Sequence, residues 1–326
     1  MGLTQVSSSF YYSEETPNFS RFKKIGLINT SASSHKITDS AAGATAFASG
    51  KKSYNGAIGV NSDTVSVPTI IEIAKKINVS TGVVATSSIT HATPACFYSH
   101  VKSRSMHEEI AKQLVASELD YAAGAGLPYF MDRNDGADYY DVLKGQGVIL
   151  DTTNLASLEE ICAGCQYAYL DTAASMPRML DGRGDFLTNA AKLGIDHLSR
   201  NEEGFFLMVE GSQIDWGGHA NDADYLTTEL LDFDKMLGMV LDFAEKDGNT
   251  LVIVTADHET GGFALSSTPV EGEGWSDYNK VTATFSTGGH TTTLIPVFAY
   301  GPGADKFAGI YSNTEIFHKM IEASGW

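Results

Sequence analysis

The chain has 326 residues, 43% of them hydrophobic and 19% charged, enough for one large domain or two ordinary ones with a substantial core. Its 40 acidic and 22 basic residues give a formal net charge of -18, which argues against non-specific nucleic-acid binding, because that needs Lys and Arg to displace counterions from phosphates. No run approaches the roughly 18 apolar residues of a spanning helix, and no basic start with an apolar core marks a secretory signal, so compartment is not readable from targeting.

In chain order, Met1 to Val6 reads as a loop-to-helix entry with no strand before it. Lys24 to Thr30 is a strand, and a polar loop to Ile37 leads to a run of small residues from Ser40 to Ser49, ended by Gly50. Ser40 therefore sits near a helix N-terminus, where unpaired backbone donors and the macrodipole favour negative charge, although Asp39 or Ser40 would also serve as a plain cap. Val67 to Ile77 is an amphipathic helix with Pro68 near its start, Thr81 to Thr86 a short apolar strand, and Met106 to Glu118 another helix. Tyr121 to Ala123, Val148 to Leu150 and Tyr167 to Leu170 are short strands; Phe186 to Leu198 is a helix and Phe205 to Val209 a buried strand. Asp222 to Lys246 carries a broad apolar stripe, read as core packing. Thr250 to Thr255 is a strand of the apolar kind found in covered parallel sheets, Ser266 to Gly289 is irregular, Leu294 to Tyr300 is a last strand and Ser312 to Ala323 a last helix. The fold class is α/β, with a mostly parallel central sheet and helices on both faces, and no repeat or linker divides residues 1–326. Cys96 stands alone. Cys162 and Cys165 form a C-x-x-C with no second pair, which leaves a disulfide, free thiols or weak metal binding open.

Two clusters follow predicted strands at their C-terminal ends, where open α/β sheets place ligands, and a third precedes the last strand. In Glu210-Gly211-Ser212-Gln213-Ile214-Asp215-Trp216-Gly217-Gly218-His219, Asp215 and His219 face one centre if a helical turn joins them. Asp257-His258 is an adjacent pair followed by glycines, and Thr287-Gly288-Gly289-His290-Thr291 supplies another imidazole. Each alone reads as a satisfied hydrogen-bonding group; three together with Ser40 read as metal ligands around a nucleophile. Arg104, just before a helix, suits two phosphate oxygens at once, or an ordinary surface charge. Thr93 with Glu210 suits a hard cation such as magnesium, with His91 in the same loop, or Thr93 and His91 only bond the loop.

These segments resemble the alkaline phosphatase family. T-D-S-A-A-G-A-T-A with Gly50-Lys51 is similar to its nucleophile segment, and H-A-T-P, S-R, V-E-G-x-x-I-D-x-x-x-H, T-A-D-H-E-T-G-G and T-G-G-H-T to its metal and phosphate segments, in the family's order. Pro296 to Gly303 adds to a resemblance that covers nearly the whole chain. It implies phosphate monoester hydrolysis through a phosphoserine at Ser40, with Arg104 holding the phosphate. It implies two zinc ions, one on Asp215, His219 and His290 and one on Asp257 and His258, and one magnesium on Thr93 and Glu210 with His91 beside them. His91 and Trp216 occupy positions where family members differ. The family also uses an aspartate in a D-G-x-G turn ending its first strand, and here Met1-Gly2 resemble the last two residues of that turn, so the domain is expected to lack that strand and aspartate. Broad specificity for small-molecule monoesters and a periplasmic or secreted location are further implications, as is a homodimer, although the segment before His290 is short for the contact larger members build there. The alternatives are a related phosphodiesterase or sulfatase, or a non-catalytic phosphate- or metal-binding fragment.

Overall fold

The computed structural model describes residues 1–326. Helix α1 (Leu3–Tyr12) fulfils the expected helical entry and props the segment that carries the Asp257-His258 pair. Gln5 donates to the Thr260 carbonyl at 2.8 Å and Thr4 to that of Phe263 at 2.6 Å, while the buried Met1 ammonium donates to the His258 carbonyl.

Strand β1 (Lys24–Asn29) leads to α2 (Ser40–Ser49), which ends at Gly50 with a left-handed φ of 69° that only glycine adopts cheaply. Helix α3 is shorter than expected, Ile70–Lys76, because Thr69 caps it reciprocally with Glu72 and leaves Pro68 outside. Then come β2 (Ser80–Ser88), α4 (Ala92–Ala95), α5 (His107–Ser117), β3 (Tyr121–Ala125), α6 (Pro128–Met131), α7 (Tyr139–Gly145), β4 (Ile149–Asp151) and β5 (Tyr167–Asp171). The Cys162–Cys165 pair is a disulfide in the turn before β5. Next are α8 (Phe186–Leu198), β6 (Phe205–Glu210), α9 (Gln213–Ala220), α10 (Ala223–Asp247) and β7 (Val252–Val254). The short β8 (Glu259–Thr260) pairs with β11 (His290–Thr291), while β9 (Ala264–Pro269) and β10 (Ser276–Thr284) form a hairpin in the stretch expected to be irregular. Strands β12 (Ile295–Tyr300) and β13 (Gly309–Ser312) and helix α11 (Glu315–Ser324) complete the order.

Five strands form an all-parallel sheet, β4-β5-β3-β2-β6, and four form a mixed sheet, β13-β1-β12-β7. The apolar β7, expected in a parallel sheet, pairs only with β12, and antiparallel. The two sheets share both cores: Ile28, Val83, Ala122 and Val297 pack in one cluster, and Val84, Tyr121, Val254 and Phe298 in the other. They are two halves of one layer with helices on both faces.

Strands β6 and β7 each keep one unpaired edge. All six residues of β6 are half-buried, against the expectation of a buried strand, because nothing pairs with that edge. The C-terminal ends of β1, β2, β6 and β7 lead into the loops and helices that carry the candidate residues, as in other open α/β sheets.

Candidate active site

Ser40 is the first residue of α2 and is 7% exposed. Asp39 caps the helix: its Oδ1 accepts from the Ala42 amide at 3.0 Å, and its Oδ2 accepts from the Gly56 amide and from Arg104, each at 3.0 Å. Gly43 lets α2 approach the loop after β7, since a Cβ there would meet the Asp257 Cβ at 2.7 Å. The Ser40 Oγ consequently lies 3.2 Å from His258 Nε2.

The histidine partners fix which ring nitrogens carry protons. His219 Nδ1 faces the Gly288 carbonyl and His290 Nδ1 the Thr38 carbonyl, both at 2.8 Å, and a carbonyl can only accept. Both Nδ1 atoms are therefore N–H donors, and the two Nε2 lone pairs confront each other at 3.1 Å. Asp215 Oδ1 stands 3.5 Å from one Nε2 and 3.7 Å from the other. His219 and Asp215 share α9, so the expected helical turn does bring them to one centre.

His258 follows the same logic. Thr260 Oγ1 donates to Asp215 Oδ1, so it accepts from His258 Nδ1 at 3.1 Å, leaving Nε2 as a lone pair. That lone pair faces Ser40 Oγ and, at 3.0 Å, Asp257 Oδ2, a buried oxygen with no hydrogen-bond donor. Burial works to raise the Asp257 carboxyl, while a positive charge at the His258 Nε2 position, a proton or a bound cation, holds it below the usual range. Lone pairs converging without protons between them suit cations, and soft-to-borderline imidazole with carboxylate suits zinc. The tightest group of donors is Asp215, His258 and His290, within 4.8 Å of one another, with the His258 and His290 rings stacked at 3.5 Å.

Arg104 reaches the site through Asp39, and its other amino group donates to His91 Nε2 at 3.3 Å. Burial and the charges of Arg104 and His107 push His91 down to about 4, so it is neutral and able to accept. Trp216 stands edge-on to His91, with ring centroids 6.0 Å apart. Beyond β6, burial pushes the Glu210 carboxyl up to about 7 while the Ser212 and Thr93 hydroxyls pull it down, and the charges of Asp257 and Asp215 reach it. Thr93 and Glu210 are thus adjacent to each other and to the imidazole cluster. Every candidate residue named from the sequence falls in this one region. The residues passed over are Thr260, which connects His258 to Asp215, and Asp39 in its second task of holding Arg104; both sit beside named residues, the one signal that could have found them.

A sequence profile described as alkaline phosphatase matches residues 3–274. The chain belongs to the alkaline phosphatase family. Alkaline phosphatase 3 of Bacillus subtilis (strain 168) is 32% identical over 88% of this chain and 77% of its own length. The solved alkaline phosphatase of the Antarctic bacterium TAB5 is 54% identical, covers 100% of this chain and 95% of its own, and superposes with a TM-score of 0.98. A histidine-to-aspartate variant of that TAB5 alkaline phosphatase, 53% identical over 100% of this chain and 95% of its own, has a TM-score of 0.97 and carries magnesium in its M3 site. As an alkaline phosphatase, this chain is a metal-dependent hydrolase of phosphate monoesters.

Proposed function

We propose that Ser40 is the nucleophile of this phosphatase and Arg104 the holder of the phosphoryl oxygens. Asp215, His219 and His290 would hold one zinc, Asp257 and His258 a second, and Thr93 and Glu210 a magnesium, with His91 beside them keeping Arg104 in place. The observation that carries this reading is the Ser40 hydroxyl 3.2 Å from a histidine lone pair that also faces the undonated Asp257 oxygen. When bound, the metals supply positive charge that makes a serine hydroxyl or a water easier to deprotonate near neutral pH.

The rest is done by the chain. The N-terminus of α2 aims its amides and partial positive charge at the phosphoryl group, and Arg104, braced by Asp39 and His91, fixes the group's rotation. Attack forms the Ser40 Oγ–P bond as the bond to the departing alcohol oxygen breaks, and the alcohol leaves with a proton. Water then cleaves the serine ester and releases inorganic phosphate. The test is turnover of a chromogenic monoester at alkaline pH with zinc and magnesium, comparing the protein with Ser40→Ala. The expected loss is about 10³-fold or more; retention of full turnover would overturn the assignment.

The chain reads as one domain whose central sheet lacks one strand, a reading supported by the unpaired edges of β6 and β7. The neighbouring strands run so that an added parallel strand would end at the metal-ligand cluster. Export to an oxidising compartment is supported by the Cys162–Cys165 disulfide. A homodimer is supported by the β9–β10 hairpin, whose Trp275 is 60% and Tyr278 88% exposed, surface that association would cover.

A further inference from the structure

Strand β6 ends at Glu210, and its outer edge is unpaired, so no strand on that side holds the carboxylate. On its inner side β2 runs parallel, with Ala85 opposite Glu210, and continues through Thr86 to Ser88 toward the short α4, where His91 and Thr93 stand. The two residues assigned above to magnesium, Glu210 and Thr93, therefore arrive from separate strand ends. Their relative position depends on what joins those ends.

Ser212 joins them. Its amide donates to Thr86 Oγ1 at 2.9 Å, and its Oγ accepts from the Ser87 amide at 3.2 Å. The next residue, Gln213, donates to the Thr86 carbonyl at 3.0 Å. Thr86 and Ser87 have no solvent exposure and Ser212 only 5%, so water competes little for these bonds. The Ser212 hydroxyl has one proton and two acceptors in reach, Glu210 Oε2 at 2.5 Å and Ser87 Oγ at 3.0 Å. An ionised carboxylate is the stronger acceptor and here also the nearer one, so the proton goes to Glu210. Ser87 Oγ sends its own proton to the Ser88 carbonyl at 3.2 Å.

The Glu210 carboxylate has reason to need this donor. The charges of Asp257 and Asp215 reach it and repel it, while the Thr93 hydroxyl lies on its other side. We propose that Ser212 is a positioning residue for the magnesium site: its hydroxyl, anchored to the end of β2, holds the Glu210 carboxylate beside Thr93 in readiness for a hard cation. The proposal rests on the assignment of Glu210 and Thr93 to magnesium. An outer partner that orients a metal ligand is worth about 10- to 100-fold in affinity.

The test titrates magnesium into the zinc-loaded protein by calorimetry and measures zinc per chain in the same samples. Ser212→Ala is expected to weaken magnesium binding about 10- to 100-fold with zinc content unchanged. Thr86→Val removes the acceptor of the Ser212 amide and leaves the Ser212 hydroxyl in place; a loss of about threefold is expected, and this variant gives the reading should Ser212→Ala fold poorly. Ser87→Ala deletes a neighbouring, equally buried hydroxyl that does not bond Glu210, and is expected to change the affinity less than about twofold. Unchanged affinity in both Ser212→Ala and Thr86→Val would overturn the proposal. So would an equal loss in Ser87→Ala, which would show that any hydroxyl removed from this pocket disturbs it. Glu210→Gln, measured alongside, separates the two claims: a loss there with Ser212→Ala silent upholds the magnesium assignment and rejects the role of Ser212, and no loss there removes the basis of both.

Discussion

At the scale of single residues, Thr260 has no solvent exposure and makes two bonds at once, accepting from His258 and donating to Asp215. It fixes the His258 tautomer and aims one Asp215 oxygen, a task that outer partners of metal ligands commonly perform. Thr260→Val keeps the branched shape but leaves an N–H and a carboxylate without their partner. Zinc affinity measured by chelator competition is expected to weaken about 10- to 100-fold; unchanged affinity would show that the hydroxyl only fills space. The ligand residues themselves were readable, because Asp, His and Glu at strand ends are uncommon enough to draw notice. Thr260 was not, since its role depends on which way a hydroxyl points after β8 pairs with β11. Arg104 was readable as a phosphate holder, but not its dependence on Asp39, which is separated from it by the whole of α2 and α3.

Among the elements, helices with a clear start and stop were legible: α2 and α8 have the boundaries that their sequences predict, with Asp39 and Gly50 bracketing α2. The β9–β10 hairpin was not, because its strands are polar, mostly half-exposed, and shifted in register between Asp277 and Val281. What fastens elements together was also hidden. Arg183, in the turn before α8, bonds Glu229 at 2.5 Å and Asp232 at 2.9 Å on α10, and the three side chains are at most 1% exposed. Arg183→Met would strand two buried carboxylates, and denaturant melts are expected to show a loss of about 3–5 kcal/mol.

The His100–Glu72 pair, which joins α3 to the segment after α4, is weaker and pH-dependent. Its hydrogen bond raises His100 above the ordinary 6.5, although burial works the other way. The same bond lowers Glu72 below 4.5, again against burial. The His100 contribution is therefore complete below pH 6.5 and fades as pH rises through the raised value; that of Glu72 is present above pH 4.5 and fades as pH falls through the lowered one. Glu72 is 41% exposed, so the pair contributes less than about 1 kcal/mol. The stability difference between the protein and His100→Gln should be greatest between those two limits and shrink toward alkaline pH, where the enzyme family works; a difference that grows with pH would contradict the pairing.

For the molecule as a whole, the α/β class followed from alternation of strands and helices, and the placing of ligands at strand ends followed from the class. The division of the sheet into two halves did not, because Phe205 to Val209 has the same apolar run whether or not a neighbour pairs with it. Those two bare edges carry a consequence for how copies of the protein treat one another. Each presents a row of free amides and carbonyls, flanked on β6 by half-covered apolar side chains, a template onto which another molecule's strand can add. The formal charge of -18 opposes such encounters at low salt, and its reach shortens to about 8 Å at physiological ionic strength. Light scattering at fixed concentration is therefore expected to rise with added salt; scattering indifferent to salt would show that the edges are already protected.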